Sequence, residues 1–128
     1  MKLLLDTHTL LWWLDGDTKL SRKVRVLIAD NENDVYVSAA SAWEIANKAR
    51  LGKLPQALSV AHRLLMVVAE QGFRTLDISI EHGERAGWFA IKHRDPFDRM
   101  LAAQAQISGM PIATKDLIFS DFGVETVW

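Results

Sequence analysis

The sequence predicts an α/β domain built on a parallel β-sheet with helices covering both faces. Two observations predict it. Short apolar runs alternate with longer segments of helical spacing along the whole chain. Hydrophobic residues make up 49% of the 128 positions, which suffices for one sizeable core and not for two. No repeat, low-complexity tract or linker breaks the pattern, so residues 1–128 read as a single domain.

The elements follow in order. Lys2–Leu5 is a first strand. Ser21 caps a helix of about a dozen residues that ends near Asn31–Asn33. Asp34–Ser38 is a second strand. Ser41 starts a helix whose Ala42, Ile45, Ala46 and Ala49 follow the i, i+3, i+4, i+7 pattern of one buried face. After a "GKLPQ" loop at 52–56, a third helix spans Gln56 to Gln71. Phe73–Ile78 is a strand, and Glu81 to Lys92 a helix. The next helix begins at Asp95–Pro96, with proline at the first helical position where its missing N–H costs nothing, and ends before Gly109. Pro111–Thr114 and Val124–Val127 complete the sheet.

Composition excludes several classes. With no cysteine there is no disulfide scaffold, thiolate metal site or thiol nucleophile, and a reducing cytosol fits. A formal net charge of −1 does not mark a nucleic-acid-binding module. The local basic groups Arg22/Lys23/Arg25, Lys48/Arg50/Lys53 and Lys92/Arg94/Arg99 read as solvated faces or as phosphate tracks. "MKLLLDTHTLLWWL" looks superficially like a signal peptide, but Asp6 and His8 interrupt it and no small-residue cleavage site follows. No stretch approaches the roughly 20 apolar residues of a membrane helix. A soluble protein is expected.

Parallel sheets have right-handed crossovers and bind ligands outside the carboxyl ends of their strands. Asp6 ends the first strand and so lies at that edge. Glu44 falls in the first turn of the helix after "VYVS", Asp98 in the first turn of the helix that feeds "PIAT", and Asp116 just past that strand. Carboxylates from four remote segments therefore meet at one rim. Each also has a local alternative. Ser41 and Glu44 match a capping box, and Glu44 and Lys48 an i, i+4 pair. Asp95 suits an N-cap, Asp98 favours the helix dipole, and Asp116 could cap a turn through "LIFS". Asp98 shares a helix face with Leu101, Ala102 and Ala105, so partial desolvation raises its pKa unless it has a partner. Crowded carboxylates either keep protons or share a cation. Oxygen donors without cysteine or paired histidine favour Mg²⁺ or Mn²⁺ over Zn²⁺. A hard cation in an acidic pocket points to phosphate-ester chemistry.

Four blocks carry a resemblance: "LLLDTHTLLWW", "VSAASAWEIANKARLGKL", "HRDPFDRMLAAQA" and "TKDLIFSDFGVETVW". In this order, over nearly the whole chain, they resemble the signature blocks of PIN-domain ribonucleases, and more specifically the VapC-type toxins of bacterial toxin–antitoxin pairs. The resemblance implies a three-layer α/β/α sandwich with a central parallel sheet and Mg²⁺- or Mn²⁺-dependent cleavage of RNA in the cytoplasm. Carried over by position, the acidic set is Asp6, Glu44, Asp98 and Asp116. Asp6 and Asp98 are expected to hold the metal, Asp116 to complete that site or hold a second ion, and Glu44 to orient water or act as base. Asp95 is expected as an N-cap and supporting acid, and Asp121 as an extra acid of the last block. The resemblance also implies a cognate antitoxin whose C-terminal segment covers the site, a homodimer, and DNA contact only through the antitoxin.

Other residues carry open expectations. Thr7 and Thr114 flank the acids and position ligands, or bond backbone as strand-end hydroxyls. His8 and His93 shuttle protons, or are exposed or capping imidazoles. Trp12 and Trp13 cannot face the same way on a helix; one belongs to the core and the other to a dimer or antitoxin surface. Trp43, Trp88 and Trp128 are expected as packing residues. Two competing functions remain: an aspartyl phosphatase of the haloacid dehalogenase type, which wants an acid where His8 stands, and a non-catalytic module that uses the acidic rim for interaction.

Overall fold

The computed structural model describes residues 1–128. The chain forms β1 (Lys2–Leu5), α1 (Thr7–Asp15), α2 (Arg22–Ala29), β2 (Asp34–Ser38), α3 (Ala39–Arg50), α4 (Leu58–Ala61), α5 (Leu64–Glu70), β3 (Arg74–Leu76), α6 (Ile80–Trp88), α7 (Pro96–Ser108), β4 (Ile112–Ala113), α8 (Ile118–Asp121) and β5 (Thr126–Val127). The sheet is parallel throughout, in the order β3-β2-β1-β4-β5.

β1 is the middle strand, and its three consecutive leucines explain why. Alternation sends Leu3 and Leu5 to one face and Leu4 to the other, and all three are at most 1% exposed. Leu3 and Leu5 pack with Leu10, Val24, Ile28, Leu64 and Val68, the layer of α1, α2 and α5. Leu4 packs with Leu101, Ala102, Ala105, Phe119 and Phe122, the layer of α7 and α8. The chain steps outward from β1 to β3 and then returns past β1 to β4, so strand order reverses between β1 and β4. Crevices for ligands form at such a reversal, beyond the carboxyl ends of the strands.

Local chemistry sets the helix ends. Asp95 Oδ1 accepts from Phe97 N at 2.8 Å and Asp98 N at 3.1 Å, Pro96 opens α7, and Gly109 (φ 64°) ends it in the left-handed region that favours glycine. The helix expected from Ser41 instead begins at Ala39. Ser38 caps it through Ala40 N, which puts Ser41 inside the first turn and leaves no Ser41–Glu44 capping box. The expected helix over Gln56–Gln71 is broken: a 3₁₀ turn at Pro55–Ala57 leads into α4, and α5 begins only after His62 and Arg63. α2 stops at Ala29 because Asp30 turns extended, and α6 stops at Trp88 because Phe89 does. The strands at 73–78, 111–114 and 124–127 shrink to three, two and two residues.

The aromatic expectations hold in part. Trp128 packs edge-on to Trp12, and Trp43 packs on Phe97 but stays 59% exposed. Trp88 is no packing residue: it is 83% exposed on α6. Trp12 and Trp13 are both half-buried rather than one core and one surface. No helix is long and apolar enough to cross a membrane.

Candidate active site

A cavity of about 370 Å³ opens at the carboxyl ends of β1 and β4. Asp6, Glu44, Asp95, Asp98 and Asp116 line it, with Thr7, His8, Lys48 and Lys115; Trp12 is its one apolar wall. All four expected acids therefore face one space, delivered by β1, α3, α7 and the turn after β4. Asp121, the other acid considered, does not line it.

Asp6 is held from two sides. As N-cap of α1, its Oδ1 accepts from Thr9 N at 2.7 Å. Its Oδ2 accepts from the Thr114 hydroxyl, which in turn accepts from Asp116 N at 3.0 Å. Thr114 thus ties the end of β4 to the end of β1, and the acid of one block to that of another. Glu44 is 5% exposed. Thr7 Oγ1 lies 2.5 Å from Glu44 Oε1 and 3.1 Å from Ser41 Oγ. A hydroxyl has one hydrogen and a carboxylate only accepts, so Thr7 donates to Glu44. Lys48 Nζ donates to Oε2, the expected i, i+4 pair. Asp116 Oδ1 accepts from Ile118 N at 3.0 Å, so its capping and pocket-lining roles coexist.

Asp98 behaves as its helix face requires. Burial lifts its carboxyl pKa to about 6. A hydrogen bond and the charge of His93 pull it down, while the charges of Asp95 and Glu44 push it up. His93 Nε2 sits 2.8 Å from Asp98 Oδ2, and Asp98 lines the cavity. His93 is thus a partner of Asp98, a role that sequence reading missed; its position five residues before Asp98, across the helix N-terminus, was the available signal. The third basic group dissolves: Arg99 turns inward onto five backbone carbonyls and offers no phosphate track.

A proton at Asp98 costs less in the folded state than in the unfolded one. Its folded pKa of about 6 lies above the ordinary 3.8, so the stability it contributes is full below the lower value and is lost as pH rises through the higher. In EDTA, Asp98→Asn is therefore expected to melt above wild type near neutral pH, by about 1 kcal/mol after allowing for partial exposure, with the gap closing as pH falls toward the ordinary carboxyl range. Thermal melts of both chains across pH check this.

The donor set suits a hard dication. It is all oxygen, without thiolate or paired imidazole. No three acidic or imidazole side chains converge on one point. An ion of the magnesium type needs only one or two carboxylates, keeps several waters and completes its shell with phosphate oxygens. Asp6 and Asp98 could supply that number.

The sequence pattern of the PIN domain matches residues 3–125. A 33-residue stretch is 54% identical to Ribonuclease VapC16 of Mycobacterium tuberculosis (strain ATCC 25618 / H37Rv), covering 26% of this chain and 23% of that protein's length. Among solved structures, VapBC2 from Rickettsia felis, bound to a DNA fragment from their promoter, superposes with a TM-score of 0.72 at 12% identity, covering 99% of this chain and 98% of the other. Mycobacterium tuberculosis VapC20, a sarcin-ricin loop cleaving toxin, gives 0.64 at 18% identity over 95% of each chain. With this pattern over nearly its whole length, a five-stranded parallel sheet between two helical layers and acids gathered where strand order reverses, the chain belongs to the PIN-domain family.

Proposed function

We propose that the chain is a divalent-metal-dependent endoribonuclease that acts as the toxin of a type II toxin–antitoxin pair. The observation that carries this reading is that acids from four remote segments line one cavity at the reversal between β1 and β4. The short match to a protein named as a ribonuclease supports RNA as substrate, and the fold is shared with a sarcin-ricin loop cleaving toxin.

Asp6 and Asp98 would hold a Mg²⁺ or Mn²⁺ ion, with Asp116 completing its surroundings. Such an ion supplies water of lowered pKa and a polarised phosphate. Thr9 N–H and Thr114 fix the Asp6 carboxylate, and His93 fixes that of Asp98. Preset donors of this kind need no reorganisation as charge develops. Glu44, held by Thr7 and Lys48, orients the attacking water or receives its proton. Hydrolysis puts the water oxygen on phosphorus and a hydrogen on the 3′ oxygen, leaving 5′-phosphate and 3′-hydroxyl ends. Partners follow the same reading: a cognate antitoxin over the pocket, a second copy in a homodimer, DNA only through the antitoxin, and a cytoplasmic setting.

The test is RNA digestion by the purified chain. Fragments are expected with Mg²⁺ or Mn²⁺, none with EDTA, and end-mapping should find 5′-phosphates. A 2′,3′-cyclic phosphate formed in EDTA would overturn the reading.

A further inference from the structure

Both oxygens of Glu44 are already engaged, one by Thr7 and the other by Lys48. On an open helix face such a Glu–Lys pair is weak and exchanges readily with water. This pair is different, because the carboxylate side chain is only 7% exposed while Lys48, which lines the same cavity, is 32% exposed. The ammonium neutralises a buried charge that desolvation disfavours. It thereby does for Glu44 what a metal ion does for a carboxylate ligand. Two-ion nucleases use one cation beside the attacking oxygen and one beside the leaving oxygen. Here Asp6 and Asp98 remain for one ion, whereas the negative charge with which Glu44 would draw in another is already balanced by the Lys48 ammonium.

We propose that Lys48 takes the place of a second metal ion, so that the site works with one divalent ion and one fixed ammonium. Resting on the nuclease reading above, this inference gives Lys48 a substrate-facing role. As the water oxygen bonds to phosphorus, the P–O3′ bond breaks and O3′ keeps its electron pair. The ammonium stabilises that charge, and O3′ gains a proton from Lys48 or solvent. The attacking water loses its own proton to Glu44 or solvent, so the sum is one water added across the bond.

The experiment counts Mn²⁺ ions on the full chain without RNA, by calorimetry and electron paramagnetic resonance, and measures cleavage. Wild type should bind one ion per chain. Lys48→Met bares Glu44 and should bind two, with cleavage down about 100-fold and partly recovered at high Mn²⁺. Lys48→Arg, which keeps the charge, should bind one ion and retain most cleavage. Two ions on wild type, or one ion on Lys48→Met with cleavage unchanged, would overturn the inference and leave the nuclease reading standing. A wild-type chain that binds no Mn²⁺ and cuts no RNA would overturn both. The wild-type count needs no variant to fold, and melting curves verify that Lys48→Met does.

Discussion

Asp6→Asn is expected to end RNA cleavage, by about 10²-fold to 10³-fold or more in turnover, while the fold stands. The substitution separates the two duties of this side chain. As N-cap of α1, asparagine serves about as well as aspartate, because its carbonyl oxygen can still accept from Thr9 N–H. Its amide can donate to the Thr114 hydroxyl where the carboxylate had accepted. Melting should therefore stay within about 1 kcal/mol of wild type. The negative charge that would hold a cation is gone. Expression in bacteria gives the second readout: wild type alone should arrest growth. Retained cleavage in folded Asp6→Asn would remove Asp6 from the reaction.

The largest effect on stability is expected at Arg99, whose replacement by alanine should cost about 3 kcal/mol or more. Its guanidinium donates to the carbonyls of Ala86 (2.9 Å), Gly87 (3.2 Å), Phe89 (2.8 Å), Ile91 (2.9 Å) and His93 (3.0 Å). These belong to the end of α6 and the irregular segment before α7, where no helix or strand satisfies them. Lost together, they leave four part-buried carbonyls and the exposed one of Gly87 without this donor. Lysine should recover little, because its three donors sit on one point and cannot span five acceptors. Urea denaturation gives the loss, and amide exchange should accelerate across residues 87–94. Cleavage should fall as well, since the segment carries His93 to Asp98.

The two predictions mark what sequence can and cannot disclose. Strand and helix alternation was readable, and from it the gathering of Asp6, Glu44, Asp98 and Asp116 at one rim, because topology alone places strand ends and helix starts. The desolvation of Asp98 was readable from its apolar helix face. Helix boundaries were less so: Ser38 and Ser41 are both fit to cap α3, and only the tight turn out of β2 decides for Ser38. The break at His62–Arg63 has no glycine or proline to announce it. Arg99 was hidden because its acceptors are backbone carbonyls, which any residue presents. Thr7 and Thr114 could be read as positioning ligands beside the acids or as strand-end hydroxyls bonding backbone, and only the fold shows that they donate to the carboxylates themselves.

The bond from Thr114 to Asp6 spans almost the length of the polypeptide, and β4 must slide in beside β1 before it can form. Synthesis runs the other way, from the first strand onward. A nascent chain of this kind carries its first acid from the start but lacks the opposite wall until the stretch bearing Thr114 and Asp116 has emerged from the ribosome.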